Sequence, residues 1–180
     1  MRTREDLVAF LDGGGTADYF LFWGHTPKGE RVDASCLSQW FPHPFTVGGL
    51  RYATAEHFMM AEKARRFRDN EALARVLEAK SPAEAKAIGR EVRQFDAAAW
   101  DAARFGAVVR GNVAKFGQRE DFGAFLRGTR EKVIVEAAPR DRVWGIGMGA
   151  SNPDARIPAR WRGRNLLGFA LMEARAQLKA

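Results

Sequence analysis

The sequence has one cysteine and three histidines, and nowhere does an uninterrupted apolar run approach a membrane span. A lone Cys36 excludes an internal disulfide, and a missing apolar run of about 18 residues excludes a transmembrane helix. His25, His43 and His57 lie in unrelated segments, so the paired histidines of a zinc-protease helix are absent. The N-terminal stretch MRTREDLVAF lacks the apolar core and small-residue cleavage site of a secretory signal. No repeat is visible, and no Pro-, Gly- or Ser-rich linker divides the chain. The expectation is one cytoplasmic domain over residues 1–180, with no membrane partner, no metal and no cofactor.

What is present is ordinary for a soluble domain: 46% hydrophobic and 28% charged residues in 180, enough chain to bury a real core. A net charge of +7 favours anionic partners. The arginines are dispersed, however, with a cluster at Arg160, Arg162 and Arg164. That spread reads more readily as a solvated surface than as a nucleic-acid groove. A phosphorylated small molecule needs only two or three such residues.

Local patterns predict a predominantly helical α+β fold with a few short strands. DGGG at 12–15 reads as a loop after a short first helix, YFLFW at 19–23 as a buried strand, and CLSQWFPHPF as an irregular segment broken by prolines. FTVGGLRYAT predicts a hairpin turning at Gly48 and Gly49. Thr54 is placed to cap a helix. SPAE predicts another, with Ser81 as cap, Pro82 at the first helical position and Glu84 closing a capping box. Asp96 starts a helix along which Trp100, Arg104 and Val108 recur every four residues; KVIVEA is a short β-rich run, and a last helix runs from about Asn165 to Leu178.

TAEHFMMAEKARRF, 54–67, is the stretch that asks for chemistry. At about 100° per residue, Met59, Lys63, Glu56, Phe67 and Met60 share one face, while His57, Ala61, Arg65, Phe58 and Glu62 share the other. The most apolar sector thus holds two ionisable groups, which burial penalises unless they are paired or used. Structurally, Glu56 suits a helix N-terminus and Lys63 can run its stem along apolar surface. Functionally, two turns of helix put the pair roughly 10 Å apart along the axis, a gap that fits a ligand. Spacing alone leaves both readings open. In EAAPRDRVWGIG, Asp141 and Trp144 leave a β-run on a loop, where function often sits; turn capping and core filling explain them equally. Trp23, Trp40 and Trp144 lie in or beside loop-like segments, where a planar base could stack. GIGMGA, 145–150, has the wrong spacing for a dinucleotide loop and reads as a flexible turn. Nothing local makes Cys36 a nucleophile.

The order of segments then becomes informative. FLFWGH, LSQWFPHPFTVGGLRYATAEHFMMAEKA, AKAIGREVRQFD, GNVAKFGQ, VEAAPRDRVWGIG and RGRNLLGFALMEAR follow one another as in the NADAR superfamily, and the chain resembles its YbiA-like N-glycosidases from about Tyr19 to Leu178. The resemblance implies hydrolysis of a bond between ribose and a base-like nitrogen. The expected substrate is a phosphorylated ribosylamine, an amino-pyrimidine intermediate of riboflavin biosynthesis, releasing ribose 5-phosphate. Alternatives are removal of ADP-ribose from guanine in DNA or RNA, or a non-catalytic ADP-ribose- or nucleotide-binding module. The resemblance implies Glu56, Lys63 and Asp141 as catalytic residues. It implies Trp23, Gly24, Trp40, Trp144, Gly145, Asn112, Lys115 and Asn165 as substrate-binding ones. Two routes fit: Glu56 activates water with Asp141 stabilising an oxocarbenium-like ribose, or Lys63 captures C1 as a Schiff base while Glu56 shuttles protons. The methionines around Lys63 favour the second. Neither route requires a metal or redox cofactor.

Overall fold

A computed structural model describes residues 1–178. Seven α-helices and four short strands follow in the order α1 (Arg4–Asp12), β1 (Tyr19–Phe22), β2 (Phe45–Val47), β3 (Leu50–Tyr52), α2 (Ala55–Arg66), α3 (Asn70–Glu78), α4 (Pro82–Arg90), α5 (Ala97–Gly117), α6 (Glu120–Gly128), β4 (Val133–Glu136) and α7 (Leu166–Leu178), among the described residues. The predominantly helical α+β class is therefore observed. No helix among the described residues is long and apolar enough to cross a membrane.

Local chemistry explains most element boundaries. Thr54, Ser81 and Asp96 each accept an amide of the following first turn, at His57, Glu84 and Ala99. The capping box expected at Ser81 does not close on itself: the Glu84 carboxylate accepts the Lys80 N–H instead, at 2.7 Å. A complete box forms at α1, where Thr3 and Asp6 exchange both bonds. Asp12 ends that helix, so the loop expected at 12–15 starts one residue later. Gly48 and Gly49, with φ of 59° and 77°, form the two-residue connection between β2 and β3, a turn that needs positive φ at both positions. Helices α3 and α6 had no strong sequence signal; their caps are Asp69 and an Arg119 without a side-chain capping bond.

β1 and β4 pair in parallel, Phe22 beside Glu136, although more than a hundred residues separate them in the chain. Trp23 lies just beyond the strand, 68% exposed, so the strand expected over 19–23 ends one residue early. α2 is the central helix, packed against α3, α4 and α5. The face carrying His57, Phe58 and Ala61 is as buried as the Met59 and Met60 face, because helices cover both sides. Burying each such Phe or Met contributes about 1.5–3 kcal/mol, so the first turn of α2 is held on all sides. α7 packs on α5 and β4, and a second apolar cluster around Leu7, Ile146, Trp161 and Phe169 seals the other face of the strands.

Candidate functional site

The carboxyl ends of β1 and β4 and the N-terminus of α2 meet around three acids. Glu56, in the first turn of α2, is 3% exposed. Its amide donates to the Gln39 carbonyl at 3.0 Å, and its Oε1 is sealed from solvent without a hydrogen-bond partner. Burial pushes this carboxyl up to about 7, against the pull of the Lys86 charge, a hydrogen bond from Trp40 and the Arg90 charge, while Asp141 adds to the rise. A buried carboxylate shifts this way because the low-dielectric surroundings disfavour its charged form.

Glu136 ends β4. Its amide donates to Asn165 Oδ1 at 2.9 Å and its carbonyl accepts the Ile146 N–H at 2.9 Å. The residue as a whole is half-buried, but Oε2 is sealed and without a partner. Burial pushes Glu136 up to about 8, with Asp141 and Glu56 adding repulsion and Lys86 opposing them. Asp141 Oδ1 accepts the N–H groups of Val143 and Trp144, both at 2.8 Å, so the acid also shapes its own turn.

Aromatic and cationic groups surround the acids. The Trp40 ring lies 5.7 Å from the His25 ring and 5.7 Å from Lys86 Nζ. Trp144 stands 5.8 Å from the Arg104 guanidinium, whose Nε is also sealed and unpartnered. Trp23 and Gly24 follow β1 directly, and Gly24 has a φ of 90°. Gly145 packs behind β4: a Cβ there would sit 2.8 Å from the Glu136 carbonyl oxygen, so only glycine lets the strand end and its loop approach this closely.

Of the residues expected at a site, Glu56, Asp141, Trp40 and Trp144 come together, with Trp23, Gly24 and Gly145 at the ends of the same strands. Asn112, Lys115 and Asn165 are fully buried and bond to the chain itself. Lys115 Nζ donates to the carbonyls of Cys36 and Ser38 at 2.6 and 2.8 Å, and Asn112 Oδ1 accepts from Gln39 Nε2 at 3.1 Å. Helix α5 thus clamps the segment that presents Trp40. Asn165 does the same for β4, so these three side chains hold the site's frame instead of lining its mouth.

Lys63 is not drawn to Glu56. Its Nζ donates to the Gly89 carbonyl at 2.5 Å and lies 4.1 Å from the centre of the Phe95 ring. Burial lowers its pKa. The amine that acts most strongly on Glu56 is that of Lys86. Lys86 and Glu136 were both missed by sequence reasoning. The available signals were a carboxylate ending an apolar strand in KVIVE and a lysine inside AKAIGR.

His57 uses both ring nitrogens, Nδ1 with Thr54 Oγ1 at 2.8 Å and Nε2 with the Ala79 carbonyl at 3.1 Å. Among the described residues no three His, Cys, Asp or Glu side chains group to hold a metal ion. A cavity of about 710 Å³ at the other end of the strands, lined by Phe10, Asp18, Lys132, Val133, Met172 and Arg175 among others, contains none of the expected site residues.

The chain belongs to the NADAR family, whose domain model matches residues 21–179. N-glycosidase R617 of Acanthamoeba polyphaga mimivirus is 37% identical over 166 residues, 89% of this chain and 96% of that protein. N-glycosidase YbiA of Escherichia coli strain K12 is 29% identical over 146 residues, 81% of each chain. The NMR structure of the E. coli protein YbiA has the same fold, with a TM-score of 0.70 at 26% identity, covering 91% of this chain and 87% of that one.

Proposed function

We propose that this chain hydrolyses the N-glycosyl bond of a phosphorylated ribosylamine, an amino-pyrimidine of the riboflavin-intermediate type, and releases ribose 5-phosphate. It is a hydrolase of N-glycosyl bonds, the activity in the names of its relatives. The observation that carries the reading is Glu56: a carboxyl sealed at the start of a central helix, with an unpartnered oxygen and a pKa near 7. That pKa suits a general base at neutral pH. Glu56 takes the proton of an attacking water while Asp141 stabilises positive charge developing on the ribose, the division of labour common to glycoside hydrolysis. Trp40 and Trp144 supply flat apolar faces for the base, and Lys86 and Arg104 supply cations for an anionic substrate. Formation of a Schiff base is better served by Lys86 than by Lys63, since Lys63 is engaged with Gly89 and Phe95.

The test is release of ribose 5-phosphate from the ribosylamine by purified protein, followed by the same assay on Glu56→Gln. Turnover that falls by about 10²–10⁴-fold in the variant supports the reading; an inert wild-type protein sinks it. A second substrate class, ADP-ribosylated guanine in DNA or RNA, is favoured by one observation: Trp23, one residue past the Phe22–Glu136 pair, stands 68% exposed, where a nucleic-acid base can stack. An assay on ADP-ribosylated DNA at low salt separates the two.

A further inference from the structure

Two carboxyls of this site, Glu56 and Glu136, have the same unusual condition. Each has an oxygen shut off from solvent with no hydrogen-bond partner, a state that costs free energy unless a proton or a ligand occupies it. Glu56 is nine-tenths buried and more. Glu136 is immobilised through its backbone, at the amide by Asn165 and at the carbonyl by Ile146. The three preceding strand residues, Val133, Ile134 and Val135, are apolar and buried, so Glu136 is the one ionisable side chain of β4.

We propose that Glu136 is a second catalytic carboxyl, which protonates the leaving nitrogen while Glu56 accepts the proton of the attacking water. The inference rests on the N-glycosidase reading and extends it, since that reading assigned no acid. In the resting site Glu136 is the protonated partner and Glu56 the ionised one. The C1–N bond breaks with its electron pair going to nitrogen, which takes the Glu136 proton. The water oxygen bonds to C1 and its proton passes to Glu56. The site is left with Glu56 protonated and Glu136 ionised, and one proton returned through solvent restores it. No oxidant or reductant is involved.

The surroundings favour this assignment of the proton. Glu136 faces Asp141 from its own loop, Glu56 from α2 and Lys86 from α4. Glu56 faces Lys86 and Arg90 from α4, Trp40 from the segment before β2, and Asp141. Glu56 therefore has two cations and an indole to support its negative charge, whereas Glu136 has one cation against two acids. Carboxyls whose environments push them apart in this way divide the acid and base roles.

The experiment compares Glu136→Gln with the wild-type enzyme on two ribosyl 5-phosphates: one losing an amine, which must be protonated, and one losing a pyridine from a ribosyl pyridinium, which departs neutral without a proton. Glutamine has the same shape and cannot donate a carboxyl proton. The expected result is a kcat loss of about 10²–10⁴-fold on the amine substrate, little loss on the pyridinium, and disappearance of the alkaline limb of the kcat/KM pH profile. Equal losses on both substrates, or an alkaline limb that persists in Glu136→Gln, overturn the proposal while leaving the N-glycosidase reading intact. If the wild-type protein cleaves neither compound, the N-glycosidase reading itself has failed. A melting temperature for Glu136→Gln no lower than that of the wild-type protein excludes misfolding as the cause of a loss.

Discussion

Asn165 holds Glu136 in place from across the loop: its Oδ1 accepts the Glu136 N–H at 2.9 Å, and its Nδ2 donates to the Ile134 carbonyl at 2.9 Å. One fully buried amide thereby satisfies two backbone groups of β4 and orients the acid at the strand's end. Asn165→Ala leaves both groups unpaired and places an alanine at φ 54°. Unsatisfied buried backbone groups cost about 1–3 kcal/mol each, so denaturant unfolding should show a loss of about 2–6 kcal/mol. Asn165→Gly, which adopts that φ without strain, should lose less.

The two buried acids make stability depend on pH. A glutamate in the unfolded chain titrates at 4.5, and the folded protein raises Glu56 and Glu136 to about 7 and about 8. Between those limits the folded state binds more protons than the unfolded one, so stability is full below about 4.5 and falls as pH rises towards 8. Glu56→Gln and Glu136→Gln remove parts of that loss. Each should unfold at a higher temperature than the wild-type protein at pH 8 and show a smaller difference from it at pH 4.5.

Lys115 works in the opposite sense. Its amine is fully buried and falls from 10.5 to about 7; a neutral amine still has two N–H groups for the carbonyls of Cys36 and Ser38. The unfolded chain keeps its proton up to 10.5, so stability from this group rises with pH between about 7 and 10.5. Cys36, pushed up to about 12 by burial from 9.0, opposes it only above pH 9. Urea unfolding between pH 8 and 9 should therefore give a slope on the order of 1 kcal/mol per pH unit more positive in the wild-type protein than in Lys115→Met. Equal slopes would show that Lys115 keeps its charge when buried.

Lys86 is the lysine whose charge reaches both buried acids. Its charge lowers both Glu56 and Glu136, so Lys86→Met should move the acid limb of kcat/KM to higher pH, because the base Glu56 then holds its proton longer. Lys63→Met should leave that limb in place. If a Schiff base forms during turnover, borohydride reduction followed by peptide mass mapping should find the adduct at Lys86; an adduct at Lys63 would mean that the lysine leaves Gly89 when substrate binds.

The helix caps at Thr54, Ser81 and Asp96, the glycine hairpin and the helix-rich class were legible because each depends on residues within about four positions of one another. Glu56 and Asp141 could be named from their segments, and the family resemblance strengthened both. The failures have a common cause. Periodicity assigned α2 one apolar face, whereas α3, α4 and α5 bury it on both sides. It set Glu56 and Lys63 seven positions apart on one face of the same helix, while the charge that acts most strongly on Glu56 is that of Lys86 on α4.

By itself, the sequence determined most of the secondary-structure elements, though not α3 and α6, and also the acids available and the family, since propensity, capping and motif order are properties of the chain in one dimension. Only the tertiary structure decided which charges meet. The parallel pairing of β1 with β4 sets Glu136 beside Phe22, the residue before Trp23, and the packing of α4 on α2 brings Lys86 to Glu56. α5 turns Asn112 and Lys115 into clamps for the Trp40 segment. Electrostatic coupling and burial depend on distance through space, and residues far apart in the chain acquire that distance only when the fold closes.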